Sequence, residues 1–420
     1  MFKMQKFFRD PIYGFIGLTE KEVELLDIPA VQRLRRIKQL GNTHLVYPSA
    51  FHTRFEHILG VLHIATRMAK KLNLNDEDIE IIRYAALLHD IGHGPMSHNF
   101  ETILETVNNN KITHEAVTLK IIESDSHIKQ ILGDKTKDVL SLLSEANQTV
   151  NQEIISGNID ADRLDYLRRD SYHTGVAYGN FDLERILFTI NKKDDGERSY
   201  LTILEKGMDA LEHFRLARYL MHTQVYYHHV RAISDNMLHR AVEVAIRDNT
   251  LDEKNLKFDD ENFIDNYLSL DDSRLFQKIL ANPQSNSCNL IRDLENRNLL
   301  KRGFKIELKG INPLEKRKIL NMKPKDFRKL ESDIAEKCDC DKDFIIAHLQ
   351  KIDNALYKSS YDFFKAAKTP ILIETDNGDL HELEEKSPIY AKQEPQHKFF
   401  IFCPEKYKLK INEFAKNLIP

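Results

Sequence analysis

The sequence lacks the features that mark secreted, membrane-spanning and strongly charged proteins. Its four cysteines lie far apart except for one Cys-Asp-Cys stretch at 338–340, so they do not form a disulfide framework. No apolar run approaches the ~20 residues of a membrane span, and the N-terminus has no signal-peptide core. We therefore expect a cytoplasmic protein with reduced thiols and no membrane partner.

The charge is nearly balanced, with 61 lysines and arginines against 65 aspartates and glutamates and a net charge of −4. Nothing global therefore attracts nucleic acid or an acidic membrane, and an anionic ligand must be recognised in a local pocket. Internal repeats and low-complexity tracts are also missing. With 41% hydrophobic residues, the 420-residue chain is long enough for one large domain and a smaller one.

Hydrophobic periodicity predicts a mainly α-helical protein. Residues 7–18 indicate a short hairpin, and Thr19 with Glu22 forms the capping box of the first helix. Further helices are predicted at 29–41, 54–72, 76–89, 114–123, 136–148, 160–172 and 208–247, the last being the longest in the protein. Strands are predicted at 198–206, within 370–383 and at 396–404.

The character of the sequence shifts near residue 250, where lysine-rich segments and short helical patterns replace the long helices. We expect a helical catalytic domain over residues 1–250 and a smaller α/β lobe over 251–420 that supplies subunit contacts. The basic stretch 301–318 leaves nucleic-acid contact open, although such charge runs are usually solvated surface.

The stretch Ala85 to His98, AALLHDIGHGPMSH, ends an apolar helix in a His-Asp pair. A carboxylate buried at the inner end of such a helix needs a positive partner, because desolvating it alone costs several kcal/mol or more. A bound cation would supply that charge.

Four side chains are candidate metal ligands, namely His57, His89, Asp90 and Asp162. Imidazole nitrogens with carboxylate oxygens suit one divalent ion such as Mn, Fe, Zn or Ni, or less ideally Mg. The set leaves coordination positions open for water and substrate, as a hydrolase needs. Any one of these residues alone is more often a cap, a surface group or a satisfied core residue, so the prediction depends on their combination.

The order H…HD…D resembles the HD-domain phosphohydrolase superfamily. The wider segments are similar to the deoxynucleoside triphosphate triphosphohydrolases, or dNTPases, which include dGTPases, especially vertebrate members with a sterile-alpha-motif domain and their bacterial relatives. The similarity runs from about residue 6 to 235 and rests on DPIYGFIGL, RLRRIKQLG, HTRFEHILGV, LLHDIGHGPMSH and DADRLDYLRRDSYHTG. It implies an HD-domain helical bundle that cleaves dNTPs to a deoxynucleoside and inorganic tripolyphosphate.

The resemblance also implies roles for residues around the metal. His98, held by Glu101, would protonate the leaving oxygen, although the vertebrate enzymes have aspartate at the position of Glu101. Arg54 would direct its guanidinium at a phosphate, with a surface ion pair as the alternative. The catalytic set is Arg54, His93, His98, Glu101 and His114.

For substrate binding, the resemblance points to Gln39, Leu40, Arg163, Tyr166, Asp170, Arg218, His222 and Tyr226. Arg163 replaces a lysine of the family, which keeps the charge and changes the geometry. Arg218, His222 and Tyr226 follow at steps of four on one predicted helix, where a solvated surface is the alternative. Tyr226 close to the sugar would exclude a 2′-hydroxyl.

In the vertebrate relatives, nucleotides bound between subunits assemble an active tetramer. The corresponding positions here are Lys6, Asp27, Gln32 and Arg35, with Arg185 and Lys206 at a second nucleotide. We therefore expect a guanine nucleotide activator, additional Mg with the bound nucleotides, and a homo-oligomer, with a tetramer favoured over a dimer. The alternative is a basic amphipathic helix whose charges are merely solvated.

Three hypotheses remain open from the sequence. The first is the dNTPase. The second is an HD phosphohydrolase that acts on another nucleotide or on single-stranded nucleic acid. The third is a nucleotide-sensing oligomeric protein without catalysis. An intact metal quartet favours the first two, and the many predicted phosphate-facing cations favour the first.

Overall fold

The computed structural model describes residues 2–144, 149–194, 196, 198–352, 370–387 and 396–418. The fold is mainly α-helical with small sheets, as the sequence predicts. The strands are β1 Lys6–Asp10, β2 Gly14–Leu18, β3 Ile190–Asp194, β4 Ser199–Leu204, β5 Lys301–Glu307, β6 Ile346–Ile352, β7 Leu372–Glu374, β8 Leu380–Glu382 and β9 Gln396–Cys403. The helices are α1 Glu20–Leu26, α2 Pro29–Gln32, α3 Arg54–Lys71, α4 Asp76–Leu88, α5 His98–Asn108, α6 His114–Ser124, α7 Ser126–Leu132, α8 Thr136–Leu143, α9 Val150–Ser156, α10 Ala161–Thr174, α11 Leu183–Thr189, α12 Met208–Met221, α13 His229–Arg247, α14 Phe263–Leu268, α15 Asp272–Leu280, α16 Asn286–Glu295, α17 Pro313–Leu320, α18 Pro324–Cys338, α19 Leu383–Lys386 and α20 Lys408–Leu418.

The N-terminal hairpin pairs β1 with β2 in antiparallel register. One face buries Ile16 and Leu18, while Phe7 and Phe15 are about 60% exposed on the other face. The predicted capping box is confirmed. Thr19 Oγ1 accepts the Glu22 N–H at 3.4 Å, and the Glu22 carboxylate accepts the Thr19 N–H at 2.8 Å.

The predicted helix over 29–41 is wrong beyond Gln32, where the chain tightens into a 3₁₀ turn over Arg33–Arg36. The buried Arg33 guanidinium donates to the carbonyls of Leu270 at 2.6 Å and His93 at 2.9 Å. Tertiary hydrogen bonds therefore override the local helical pattern.

The prediction of one long helix over 208–247 is also wrong. A π turn, His222–Tyr226, separates α12 from α13, and His228 caps α13 by accepting the Val230 N–H at 3.3 Å. No glycine or proline marks this break, so the sequence pattern does not reveal it. The predicted helix over 136–148 ends at Leu143 as α8, and residues 145–148 lie outside the described part of the chain.

Contacts divide the chain into two interleaved units, whereas the sequence suggests one boundary near residue 250. The first unit contains described residues 2–222, 255–272 and 370–387. In it, α3 packs against α4, α9 and α10, and a four-stranded sheet has the order β3-β4-β7-β8. The apolar positions of α3 that repeat at helical spacing are fully buried, namely Ile58, Val61, Leu62, Ala65 and Met68.

The second unit contains described residues 223–254, 273–352 and 396–418 and forms the α/β lobe. Its antiparallel sheet has the order β5-β9-β6, and α18 packs on β6 while α20 packs on β5. The core includes Phe399, Ile401, Ile334 and Ile411. All four cysteines of the chain are free thiols. Within the described residues, no helix is both long and apolar enough to cross a bilayer.

Candidate active site

The His-Asp pair lies where α4 ends and the chain enters a buried turn over residues 89–97. Gly92 has no space for a side chain, because a Cβ would lie 2.1 Å from the carbonyl oxygen of His114. Its N–H donates to Thr118 Oγ1 at 3.0 Å, and its carbonyl accepts the Tyr267 hydroxyl at 2.7 Å. The turn is therefore held rigidly against α6 and α14.

The far end of the same turn has an unusual backbone. Met96 and Ser97 both have φ of 59°, a region that costs side-chain-bearing residues of order 1–3 kcal/mol each. The Met96 N–H donates to Asp272 Oδ1 at 2.7 Å, and Asp272 also accepts the Lys38 N–H at 3.1 Å. Buried hydrogen bonds thus hold this strained backbone beside the candidate site.

The four predicted metal ligands converge in the first unit. His57, His89 and Asp90 offer ligand atoms within 4.8 Å of one another. Asp162 Oδ1, from the start of α10, lies 2.9 Å from His57 Nε2 and 4.0 Å from His89 Nε2. His57 and His89 are buried or nearly so, while the Asp162 side chain is 36% exposed and gives the centre an open side.

Both histidines are oriented so that Nε2 faces the centre. His57 Nδ1 donates to Asp165 Oδ2 at 2.8 Å, and His89 Nδ1 donates to the Ala86 carbonyl at 2.9 Å. Such contacts fix the tautomer of a metal-binding imidazole. Among the described residues, the buried Nε2 of His89 has no hydrogen-bond partner. A lone pair directed at converging carboxylates fits a divalent cation.

The electrostatics of the centre point the same way. Burial disfavours charge on His57, but hydrogen bonds with Asp162 and Asp165 outweigh burial and raise its pKa to about 10. Partial burial acts to raise the pKa of Asp162, but the hydrogen bond with His57 outweighs it and lowers this pKa to about 2. The carboxylates therefore demand positive charge at this point.

Arg54, the first residue of α3, is buried next to the centre. Its Nη1 donates to Asp90 Oδ2 at 2.6 Å and its Nε donates to Ser97 Oγ at 2.9 Å. Arg54 outweighs the effect of burial and, with His89 and His93, keeps the pKa of Asp90 well below its usual value. The resemblance predicts that Arg54 contacts a phosphate. In the structure its guanidinium already donates to the candidate metal ligand Asp90.

A second cluster adjoins the first and contains the other predicted catalytic residues. Nδ1 of His98 and Nδ1 of His114 lie 2.9 and 2.8 Å from the same oxygen, Glu101 Oε1. The His93 and His114 rings stack with centroids 3.8 Å apart. His93 Nε2 lies 3.4 Å from Asp90 Oδ1 and so connects the two clusters.

Protonation differs among these histidines. Burial opposes charge on His114, but Glu115 and Glu101 raise its pKa to about 9. Burial, Arg54 and His114 instead keep the pKa of His93 well below its usual value. His98 has a 62% exposed side chain, so this imidazole is accessible to a ligand.

The predicted substrate-binding residues of the first unit form a buried polar group and a cationic group. Asp170 Oδ1 accepts from His52 Nε2 at 2.8 Å in a buried pair. Gln39 and Leu40 are buried too, and Gln39 Oε1 has no hydrogen-bond partner within the described residues.

The second group is cationic. The Arg163 side chain donates to the Asp160 carboxylate and to the Gly157 carbonyl. Burial and the neighbouring Arg163 lower the pKa of Arg218, and Tyr166 raises it. Nε of Arg218 is buried without a hydrogen-bond partner in the described chain. Two neighbouring guanidiniums, one of them incompletely paired, suit an anionic ligand.

The other predicted substrate-binding residues and the predicted activator residues lie outside these two groups. His222 and Tyr226 lie in the π turn, and Tyr226 belongs to the second unit. Of the predicted activator residues, Arg35 Nε donates to Gln32 Oε1 at 2.9 Å, and Arg185 donates to the Lys206 carbonyl at 2.7 Å. Lys6 and Asp27 are exposed at the hairpin and at the end of α1.

Sequence reasoning missed several residues that hold this site, namely His52, Ser97, Asp165, Arg169 and Asp272. A usable signal existed for two of them, because Asp165 follows Asp162 by three residues and Arg169 follows Asp165 by four on one helix. The others depend on long-range contacts that have no local pattern.

Comparison with known proteins identifies the class. Residues 54–170 match the HD domain, and residues 181–419 match the HD associated region. The chain thus belongs to the HD-domain family of phosphohydrolases, whose members bind divalent metals. The resemblance found in the sequence is confirmed.

Three individual proteins show how similar this chain is to known members of the family. An uncharacterised protein of Methanocaldococcus jannaschii is 36% identical over 98% of this chain and 81% of its own length. The deoxynucleoside triphosphate triphosphohydrolase SAMHD1 homologue of Dictyostelium discoideum is 30% identical over 71% of this chain and 60% of its own length. A phosphohydrolase from Bacteroides thetaiotaomicron has a crystal structure that superposes with a TM-score of 0.76, at 26% identity, covering 95% of this chain and 99% of that one.

Proposed function

We propose that this protein is a metal-dependent dNTP triphosphohydrolase that releases a deoxynucleoside and inorganic tripolyphosphate. The observation that carries the proposal is the cluster of four candidate metal ligands with arginines next to it. Arg54 lies next to Asp90, Arg163 lies near Asp162, and Arg218 lies near Arg163. A triphosphate brings several negative charges, and a site of this composition neutralises them as they develop in the transition state.

The residues that would hold the metal are His57, His89, Asp90 and Asp162. A divalent ion held by these residues would supply Lewis acidity for the activation of water. Arg54 holds the Asp90 carboxylate in place, and Asp165 holds the His57 ring so that Nε2 faces the centre.

His98 is the general acid in this proposal. Glu101 accepts from its Nδ1, which leaves Nε2, on the opposite side of an exposed ring, to deliver a proton to the leaving 5′-oxygen. His114 also donates to Glu101 and, with its raised pKa, adds positive charge beside the phosphates. His93, buried and with its pKa held low, links this pair to Asp90.

The nucleoside end involves the buried polar groups of the first unit. Asp170, oriented by His52, and Gln39, whose amide oxygen no described residue satisfies, are suited to hydrogen-bond a sugar hydroxyl. Tyr166 lies near Arg163 and Arg218 at the phosphate end. Tyr226 remains our prediction for the residue that excludes a 2′-hydroxyl.

We also propose activation by a guanine nucleotide through assembly of a homo-oligomer, with residues 251–420 supplying subunit contacts. The exposed Arg35 guanidinium stacks 3.5 Å from the Phe55 ring centroid and hydrogen-bonds Gln32. Arg185 and Lys206 lie within 6.0 Å of the exposed Phe188 ring. The exposed Phe188 ring beside two cations suits a purine with phosphates, whereas Phe55 is buried and leaves the Arg35 guanidinium as the exposed group.

The test is tripolyphosphate release from each dNTP with Mn²⁺ or Mg²⁺, with and without GTP. We expect release by the wild type and by His127→Ala, an exposed histidine outside the site, and none by His89→Ala or Asp90→Ala. GTP dependence that disappears in Arg35→Ala supports the activator site. If the protein binds metal but releases no tripolyphosphate from any dNTP, with or without GTP, the proposal is contradicted. That result favours another phosphoester as the substrate, or a role in nucleotide sensing.

A further inference from the structure

A row of buried polar side chains connects the N-terminal hairpin with the candidate metal ligand His57. Asp165 Oδ2 accepts from His57 Nδ1 at 2.8 Å. Arg169 Nε and Nη2 donate to the two oxygens of the same Asp165 at 2.8 and 2.9 Å. Arg169 Nη1 then donates to Asp10 Oδ2 at 2.9 Å, and Asp10 ends strand β1.

Every member of this row is buried. His57, Asp165 and Arg169 are 0% exposed, and Asp10 is 6% exposed. In a dry environment such charge-assisted hydrogen bonds are strong and geometrically specific, especially the bidentate pair of Arg169 with Asp165. A shift of one member is therefore transmitted to the next one.

Asp10 has two functions in the hairpin. Its Oδ1 accepts the N–H groups of Ile12 and Tyr13 at 2.8 and 2.9 Å and so fixes the turn between β1 and β2. Its Oδ2 binds Arg169. The Tyr13 ring lies 5.8 Å from the same guanidinium and stacks on His63 of α3. The geometry of the hairpin turn is thereby coupled to Arg169.

Helix α3 provides space for this row at a single glycine. A Cβ on Gly60 would lie 1.9 Å from Asp165 Oδ1 and 2.4 Å from Arg169 Nη2. Gly60 lies one turn after His57 on the same helix. The close approach of α10 to α3 at this point places the Asp165 carboxylate beside Nδ1 of His57.

We propose that Asp165, Arg169 and Asp10 are positioning residues that orient His57 toward the metal, so that the N-terminal hairpin is a structural part of the metal centre. The inference depends on the proposed metal site and not on the identity of the substrate. By linkage, a metal bound at His57 must in turn stabilise the hairpin.

The first test is Mn²⁺ affinity of the full chain, measured by electron paramagnetic resonance titration. We expect Asp165→Asn to weaken binding about 10- to 100-fold. Asp10→Asn, which keeps an acceptor for the turn but loses the charge that faces Arg169, should weaken it about two- to ten-fold. Glu184→Gln is the matched control, because it removes an exposed carboxylate bound to Arg67 of the same helix α3. It should leave the affinity within twofold of the wild type.

The second test separates positioning from mere stability. Hydrogen exchange of residues 6–18 should slow on addition of Mn²⁺ in the wild type and in Glu184→Gln, and this response should disappear in Arg169→Lys, which cannot make the bidentate pair. If Asp10→Asn lowers the melting temperature but leaves both Mn²⁺ affinity and the exchange response unchanged, the inference is overturned. Wild-type protein that binds no Mn²⁺ contradicts the metal centre itself. If Mn²⁺ affinity and hydrogen exchange behave as expected but no tripolyphosphate is released, only the proposed substrate is contradicted.

Discussion

Nη1 of Arg54 lies 2.6 Å from Oδ2 of Asp90, and both side chains are almost completely buried. Sequence reasoning assigns this arginine to a phosphate, yet the structure pairs it with a candidate metal ligand. Its planar fork also reaches Ser97 Oγ through Nε. Arg54 therefore both fixes the Asp90 carboxylate and adds positive charge beside the candidate metal ligands.

A lysine cannot replace this fork. The substitution Arg54→Lys keeps the charge but loses one of the two directed hydrogen bonds, so we expect it to reduce tripolyphosphate release about 100-fold. The assay is the one described for the proposed function, with Arg67→Lys as the control at a partly exposed position of α3. Full activity in Arg54→Lys would show that a point charge is sufficient.

Removal of the Glu101 charge should affect catalysis more than metal binding. We expect Glu101→Gln to lower kcat about 10²- to 10⁴-fold while Mn²⁺ affinity changes little, because Glu101 holds His98 and His114 rather than the quartet. The pKa of His114, about 9 in the wild type, should fall. NMR titration of the His114 ring checks this, and an unchanged pKa would contradict the assigned role of Glu101.

The buried pair of Arg83 and Glu22 should be important for stability. Arg83 Nε and Nη2 donate to the two Glu22 oxygens at 2.6 and 2.7 Å, and Nη2 also donates to the Gly17 carbonyl at 3.0 Å. Glu22→Gln leaves a buried guanidinium without its counter-ion, so we expect a loss of about 3–5 kcal/mol in the free energy of unfolding. Chemical denaturation measures it. The exposed pair broken by Glu184→Gln should contribute about 0–1 kcal/mol, and equal losses in the two variants would refute the argument.

His348 should make the α/β lobe sensitive to acid. Burial and the nearby His239 lower its pKa to about 4, and its ring stacks on Phe400 and Phe402. A pKa lowered on folding means that the neutral form is favoured in the native state. Its contribution is therefore complete above pH 6.5 and is lost as the pH falls toward 4. Thermal melts from about pH 7 to about pH 4 should show a smaller decline for His348→Phe, and an identical decline would exclude His348 as the cause.

Much of the first unit was predictable because its signals are local. The capping box at Thr19, the apolar stripe of α3 and strand β4 each depend on residues that are close together in the sequence. The His-Asp pair at the end of α4 also stands in a continuous motif. Local physics and tertiary structure agree at these points.

The wrong predictions concern features that have no local signal in the sequence. The helix from Pro29 fails because Arg33 finds its partners 60 and 237 residues away. The long helix fails at a π turn that needs no glycine or proline. Asp272 and His52 were missed since their roles come from hydrogen bonds to Met96 and Asp170, which no periodicity encodes.

The interleaved order of the chain constrains its biosynthesis. The Met96 N–H finds its acceptor 176 residues later at Asp272, and the Gly92 carbonyl finds its donor 175 residues later at Tyr267. A nascent chain stalled on the ribosome before residue 255 holds all four candidate metal ligands but must keep these backbone groups hydrated. The turn that carries His89 and Asp90 therefore gains these partners only after the segment 255–272 has been synthesised, although that segment contains none of the candidate metal ligands.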